Sequence, residues 1–369
     1  MNKTRVREEV SGMELARSFW KEAVFPVIQR QDPGLRLSAG LIGWSSEVIG
    51  CDDAFSQDHW WGPRCQVWLR SGDFEKRYVL GEALRESLPL TYRGYPTHMP
   101  EGRLTASENH PISHQVHFFD AGDYFASLTG SPVGQWTPVQ WLTIHEHQLL
   151  GVTSGELFRD DLGLQELRNS LSFYPEDIRL HLIAVEWGKI CQEQAFPARS
   201  GVRGAEVGAA LVAARMAESL MRLCFYLARR YPPYSKWFGV KFLELPGGPA
   251  LDESLSGMLR AQDWESRDKF WCAALAGVLR LHEEQGFLPS GKYQIAPIYE
   301  GRPGMGLPIV RVDGRPTIGD LVDEIRTQIK DPVVLKLPKE IGSINQISSS
   351  TDITDNRMRS RKLGILYEE

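Results

Sequence analysis

Residues 43–70 read GWSSEVIGCDDAFSQDHWWGPRCQVWLR, and this stretch decides the fold that we expect. Ser45 and Ser46 lie in a turn that is predicted to open a helix, where backbone N–H groups and a hydroxyl can hold phosphate oxygens. Asp58 follows at the predicted start of a strand. Two carboxylates at i and i+2 of such a strand share one face and can hold Mg²⁺ against a triphosphate. Here position i+2 is Trp60, whose indole cannot ligate a hard cation.

The region around Asp58 resembles a known family signature. An uncharacterised bacterial family, domain of unknown function 4037, carries the run S-x-D-H-D-W-G-P-R and is a branch of the nucleotidyltransferase superfamily. The matching positions in this chain are Ser56, Asp58, His59, Trp61, Gly62, Pro63 and Arg64, and Trp60 replaces the second Asp. Further runs similar to the family are GELFRD from Gly155, SFYPEDIRLHL from Ser172, YPPYSKWFG from Tyr231 and IGSINQISSSTDI from Ile341.

This resemblance covers almost the whole chain and implies both a fold and a ligand. The implied fold is α+β, with a nucleotidyltransferase-like mixed sheet and flanking helices followed by an α-helical bundle that closes over the substrate. The implied cofactors are Mg²⁺ and an NTP, with Asp58 as a metal ligand. A shared fold does not by itself identify the substrate.

Two strand patterns would position this site. The run RCQVWLR from Arg64 alternates between apolar and polar residues, which predicts a half-buried strand. Its apolar positions on one face are Cys65, Val67 and Leu69. The run HQVHFF from His114 predicts a second strand, where the superfamily would carry its third acid. The run contains no acid, and His117 takes the position where we expect a general base.

Helical patterns dominate the rest of the chain. Residues 12–30 predict an amphipathic helix with Leu15, Phe19 and Val24 near one face. From Pro175 onwards the apolar spacing becomes helical, and a bundle is expected as far as residue 285, with a linker at Pro246–Pro249. Residues 292–316, rich in Gly and Pro, predict an irregular connection. We therefore expect a nucleotidyltransferase-like domain over 1–174, a helical substrate-binding domain over 175–290 and an irregular or helical extension over 291–369.

Composition excludes several classes of partner. The formal net charge of −5 gives no strong sign of nucleic-acid binding, for which a basic face is typical. Five cysteines without a C-x-x-C pair predict free thiols in a reducing, cytoplasmic compartment. The longest apolar run, residues 208–228, is interrupted by Arg215, Glu218 and Arg222, so no membrane span is expected.

Several candidate site residues also have a structural interpretation. Ser45 and Ser46 could cap a helix rather than bind phosphate. Trp60 could line the pocket and stack on a base or another ligand ring. The basic residues Lys236 and Arg215, with Trp237, could either hold phosphate or belong to the packed architecture. The expected substrate-binding residues are Ser45, Ser46, His59, Trp60, Arg64, Lys236, Trp237 and Arg215, and the expected catalytic residues are Asp58 and His117.

Three functions remain open. In the first, the protein transfers an NMP from NTP–Mg to a small-molecule or macromolecular acceptor. In the second, the cleft is catalytically degenerate and binds a nucleotide or a small metabolite without transferring anything. In the third, the altered cleft performs a different reaction with His59 or His117 as base. Ser46, Asp58 and Arg64 favour transfer, whereas Trp60 and the strand without an acid favour the other two.

Overall fold

The computed structural model describes residues 10–53, 55–56, 61–98, 113–286, 288, 291–295, 309–311 and 318–368. The fold is α+β, with a small mixed sheet and many helices. The chain forms two compact units. The sheet unit comprises Met1–Trp136 and His147–Ser172, and the helical unit comprises Thr137–Glu146 and Phe173–Glu369.

The strands are β1 Leu37–Leu41, β2 Cys65–Leu69, β3 Thr91–Tyr92, β4 Tyr95–Pro96, β5 Val116–Asp120, β6 Glu156–Asp160, β7 Tyr293–Ile295 and β8 Ile309–Arg311. The first seven α-helices are α1 Gly12–Phe19, α2 Phe25–Gln31, α3 Arg77–Ser87, α4 Ala121–Ala126, α5 Pro138–Leu142, α6 Glu146–Thr153 and α7 Leu164–Ser170. The next six are α8 Glu176–Glu193, α9 Phe196–Gly201, α10 Glu206–Leu227, α11 Ser235–Leu243, α12 Gly248–Arg260 and α13 Trp264–Glu284. The last five are α14 Ile318–Arg326, α15 Pro332–Leu335, α16 Ile344–Ile347, α17 Thr351–Thr354 and α18 Arg357–Lys362.

The main sheet has the strand order β5-β2-β1-β6. Strand β1 pairs antiparallel with β2 and β6, while β5 lies parallel to β2, so the sheet is mixed. The strand predicted from RCQVWLR is confirmed as β2, and its predicted apolar face is buried in the core of the unit. The second predicted strand is also present, as β5, which begins two residues later and ends one residue later than predicted.

The helix predicted over residues 12–30 is present as α1 and α2, joined by a π-helical segment over Trp20–Val24. Ser11 precedes α1, and its hydroxyl caps the helix by accepting a hydrogen bond from the Glu14 N–H. The three residues predicted to share one face are all fully buried. Burial of that apolar face against the sheet core is what favours the helix here.

The helical unit contains the long helices α8, α10, α12 and α13, with α8 packed on α10 and α12 on α13. The predicted linker at 246–249 is a tight turn in which Gly247 takes φ +73° and α12 begins at the next residue. The region predicted to be an irregular connection contains the antiparallel strand pair β7 and β8, so that prediction is wrong at these six residues. Within the described ranges, no helix combines the length and apolar character that crossing a bilayer requires.

Candidate functional site

The face of the main sheet opposite the core carries polar residues at the start of β2. The parallel register places His117 of β5 beside Gln66 of β2. Gln66 is half-buried, and its Oε1 accepts a hydrogen bond of 2.9 Å from the Ile42 N–H. One step further along the sheet, Trp68 and Phe119 stack with 6.1 Å between ring centroids. Polar groups therefore occupy one end of this face and aromatic rings the other.

The chain after β1 forms a turn rather than the helix that the sequence predicted. Residues 42–50 contain bends and turns, so a helix opening at Ser45 and Ser46 is wrong. The Gly43 N–H donates to the carbonyl of Gly151, with a distance of 2.9 Å, and Gly43 takes φ +104°. The Cys51 N–H donates to the Ser46 carbonyl and closes the turn. These contacts occupy backbone groups that a helix would need for its own hydrogen bonds between residues i and i−4.

A buried carboxylate joins two of the predicted site residues. Glu47 is 4% exposed, and its Oε1 accepts a hydrogen bond of 2.9 Å from the Arg64 Nε. The Ser46 hydroxyl lies 3.4 Å from the Glu47 Oε2 and donates to the Ser56 carbonyl at 3.2 Å. Glu47 therefore contacts both Ser46 and Arg64. The sequence reasoning missed Glu47, although an acid next to two serines in a predicted ligand turn was a visible signal.

The charge of Arg64 also acts on His117 of β5. His117 is an exposed residue of β5, but desolvation of its ring by its surroundings lowers its pKa, and the charges of Arg64 and His114 act in the same direction. The imidazole is therefore neutral at pH 7 and can accept a proton. Ser45 adds a second polar group to this region. Its buried hydroxyl has no hydrogen-bond partner among the residues that the structure describes.

Three of the predicted site residues, Asp58, His59 and Trp60, lie outside the described residues. The two acids on the preceding loop are described. Asp52 accepts hydrogen bonds from the Gly12 N–H and from the Trp61 indole N–H, so it fixes the start of α1. Asp53 accepts from the Phe55 N–H at 3.0 Å. Among the described ranges, no group of three or more His, Cys, Asp or Glu side chains is arranged to hold a metal.

The other predicted substrate-binding residues belong to the helical unit. Arg215 is an exposed residue of α10 and forms a bidentate ion pair with Glu193 of α8, at 2.7 and 3.1 Å. Trp237 of α11 is buried and packs edge-on against Tyr234, with 4.9 Å between centroids. Lys236 is exposed, and its Nζ lies 5.0 Å from the centre of the Trp237 ring. The ion pair of Arg215 and the cation–π pair of Lys236 and Trp237 therefore have no residue in common.

A buried polar network in the helical unit was not predicted. Glu146 is 1% exposed and accepts hydrogen bonds from Arg222 at 2.6 Å, from the Tyr226 hydroxyl at 2.6 Å and from the Ser343 hydroxyl at 3.0 Å. Burial raises the pKa of Tyr226, and the Glu146 carboxylate raises it further, so the hydroxyl stays protonated and donates. The partners of Glu146 are distant from it in the sequence. The one signal of this network in the sequence was the charge of Arg222 within an apolar helix.

Comparison with known proteins supports part of the sequence resemblance. Residues 141–238 match the family described as "Domain of unknown function (DUF4037)". No curated protein and no solved structure matches the chain. The matched region contains the family-like runs from Gly155 and Ser172 and nearly all of the run from Tyr231. It also contains Glu146, Arg222 and Tyr226, so the greater part of the buried network lies within it. The resemblance is confirmed over this region, whereas the link to the nucleotidyltransferase superfamily stays a prediction.

Proposed function

We propose that this protein is nucleotidyltransferase-like and transfers a nucleoside monophosphate from NTP–Mg to an acceptor. One arrangement carries the proposal. At the start of β2, the buried Glu47 contacts Ser46 and Arg64, and His117 lies on the neighbouring strand opposite Gln66, where the charge of Arg64 acts on it. The segment with Asp58 immediately precedes this strand in the chain. The turn with Ser46 and Glu47 follows the carboxyl end of β1, and loops held by a rigid sheet commonly carry binding residues.

The residues of the turn fit a phosphate-bearing ligand. The Ser45 hydroxyl is buried without a partner among the described residues, and an unsatisfied buried donor is stabilised when a ligand oxygen accepts its hydrogen bond. In the proposal, Ser45 and Ser46 hold the phosphates, while Asp58 holds Mg²⁺. The bound ion would neutralise phosphate charge and polarise the phosphoryl oxygen. His59 and Trp60 would contact the nucleotide, with the Trp60 ring stacked on the base.

His117 is the proposed general base. Its lowered pKa leaves the imidazole neutral at pH 7, so it can take the proton of an acceptor hydroxyl or amine. Arg64 contributes to this state because its positive charge disfavours a second positive charge on His117. We expect transfer activity to rise with pH below 6.5, as His117 loses its proton, and to be level at pH 7. His117→Gln should remove this rise.

A transfer assay tests the proposal. The full chain is incubated with α-labelled NTP, Mg²⁺ and a cell extract as acceptor source, and both pyrophosphate release and label transfer are measured. Wild-type protein should transfer label, and Asp58→Ala should abolish transfer, with circular dichroism of the variant checking that it is folded. Trp60→Asp should preserve or raise activity because it restores the i,i+2 carboxylate pair. The control is Glu75→Ala, an exposed acid on the same unit, which should change nothing.

A second function is a cleft that binds a small metabolite and transfers no nucleotide. The ion pair of Glu47 and Arg64 favours this function, because a triphosphate would have to compete with the Glu47 carboxylate for the guanidinium. In that case wild-type protein releases no pyrophosphate with any of the four NTPs. Trp60→Asp should then abolish native ligand binding by placing an unpaired charge where a ring should stack.

A further inference from the structure

A small cavity in the helical unit is lined by none of the residues of the proposed transfer reaction. Its volume is about 10 Å³, close to the roughly 10 to 15 Å³ that one water molecule needs. The lining comes from the residue that follows α8, from α9, α10 and α12, and from the first two turns of α13. Three of the lining residues carry the argument: Gln194, Arg267 and Trp271.

Four polar atoms of these side chains are buried and have no hydrogen-bond partner among the residues that the structure describes. They are the Oε1 and Nε2 of Gln194, the Nε of Arg267 and the indole Nε1 of Trp271. Each of the three residues is at most 4% exposed. A buried polar group without a partner costs free energy, so native proteins commonly satisfy such groups with an ordered water. The three residues line one cavity of this size, which points to a shared partner.

The other bonds of Arg267 leave its Nε–H for the cavity. The Nη1 donates to the Glu206 Oε2 at 3.0 Å, and the Nη2 donates to the Ala261 carbonyl at 2.9 Å. The guanidinium is planar, so the Nε–H cannot turn towards another acceptor unless these two bonds break. Apart from Gln194 and Asp268, the remaining side chains of the lining offer no strong acceptor. They belong to Pro197, Ala198, Met216, Met258 and Trp264.

The donors and acceptors of the lining select a neutral molecule that both donates and accepts hydrogen bonds. The Arg267 Nε–H, the Trp271 Nε1–H and the Gln194 amide nitrogen donate, whereas the Gln194 Oε1 accepts. Exchanging the oxygen and nitrogen of the Gln194 amide leaves this set of groups unchanged. An anion cannot donate to the Oε1, and an ammonium ion cannot accept from the N–H groups. Charge favours neither ion, since the charged residues of the lining are one arginine, Arg267, and one acid, Asp268.

We infer that this cavity binds one ordered water molecule. The water donates to the Gln194 Oε1 and accepts from the Arg267 Nε and the Trp271 Nε1, and three hydrogen bonds are typical of a buried water. The volume admits no molecule much larger than water. The bound water links the end of α8 to α13. This link does not depend on nucleotide transfer, so failure of either proposal leaves the other intact.

Oxygen-17 magnetic relaxation dispersion tests the inference in solution, because it detects waters that stay bound for longer than the protein takes to rotate. Gln194→Met retains most of the side-chain volume but removes two of the four polar atoms. Combined with Trp271→Phe, it leaves the Arg267 Nε as the one remaining partner, fewer than the two that a buried water needs. The double variant should therefore contain one long-lived water fewer than the wild-type full chain.

Gln192→Met is the matched control, because Gln192 is exposed, lies two positions before Gln194 and does not line the cavity. It should leave the number of long-lived waters unchanged. Equal relaxation dispersion in the wild type and in the double variant, with circular dichroism checking that the variant is folded, would overturn the inference.

A high-resolution crystal structure of the wild-type full chain is the test that needs no variant. It should show one water within hydrogen-bonding distance of the Gln194 Oε1 and of the N–H groups of Arg267 and Trp271. Direct pairing of these side chains with one another, an ion at this position or a cavity without ordered density would show that the inference is wrong.

Discussion

At the scale of single residues, each unit buries one carboxylate against one arginine. In the sheet unit Glu47 pairs with Arg64, and in the helical unit Glu146 pairs with Arg222. A buried ion pair adds little net stability, but removing one partner is costly because the other charge stays buried. These pairs therefore fix positions more than they add stability. Glu47 positions two proposed site residues, and the Glu146 carboxylate positions the hydroxyls of Tyr226 and Ser343.

Glu146→Gln should destabilise the helical unit by about 3 kcal/mol, since Arg222 would lose its buried carboxylate. The measurement is the free energy of unfolding from urea titration followed by circular dichroism. Glu218→Gln is the matched control because Glu218 pairs with the same arginine but is half exposed, and its loss should cost less than about 1 kcal/mol. Equal losses in the two variants would show that burial of Glu146 does not set the energy of this contact.

At the scale of elements, the sequence predicted the strands and helices whose repeating pattern of apolar residues lies entirely within the element. Alternation predicted β2, and the stripe of Leu15, Phe19 and Val24 predicted the helix over residues 12–30, because burial of one face is enough to specify each. The turn at Ser45 and Ser46 could not be predicted in this way. Its conformation depends on a hydrogen bond to Gly151, about a hundred residues away in the chain. The pair β7 and β8 was missed because three-residue strands carry too little pattern.

The same reasoning explains which site residues the sequence could provide. Arg64 and His117 follow from a strand pattern and a motif, so their neighbourhood was predictable. The position of Glu47 beside Ser45 and Ser46 could be seen in the sequence, but its contact with Arg64, seventeen positions further along the chain, could not. Glu146 required partners from α10 and from the segment around Ser343, and no local pattern specifies such a contact.

Pairing of β1 with β6 depends on Gly40, where the register of the two strands shifts. A Cβ at this position would lie 2.3 Å from the Glu156 carbonyl oxygen and 2.9 Å from the Leu157 Cα. Gly40→Ala should therefore lower the free energy of unfolding of the sheet unit by about 2 kcal/mol, because backbone atoms must move apart.

Gly72→Ala is the control for this substitution. No atom lies within 4 Å of a Cβ built at Gly72, so alanine there should be neutral or slightly stabilising. Urea titration of both variants measures the difference. If Gly40→Ala leaves the free energy of unfolding unchanged, β1 and β6 can move apart without an energetic cost, and the prediction is wrong.

At the scale of the whole molecule, buried histidines link stability to pH. In the helical unit, burial lowers the pKa of His145 and His181 to about 4 and that of His282 to about 3. The charges of Arg222, Arg326 and Arg179 contribute smaller parts of this lowering, whereas Asp355 near His145 and the Ile341 carbonyl near His181 act in the opposite direction. The three rings are therefore neutral in the folded protein, and the His282 Nε2 accepts a hydrogen bond of 2.9 Å from the Trp187 indole N–H.

Acidification should destabilise the helical unit well before its carboxylates protonate. Unfolded histidine takes up a proton near pH 6.5, whereas the folded rings resist down to about 4 or 3. The unfolded state thus binds more protons in this window. The contribution of the neutral rings to the free energy of unfolding is therefore fully present above pH 6.5, and it falls by up to about 1.4 kcal/mol per pH unit for each histidine below that pH.

Urea titrations at pH 7.5, 6.5 and 5.5 measure how steeply the free energy of unfolding depends on pH. His282→Gln keeps a polar acceptor for Trp187 but removes one titration, and it should flatten the slope by about one third. A stability that stays constant between pH 7.5 and 5.5 would contradict the neutral, buried state of these rings.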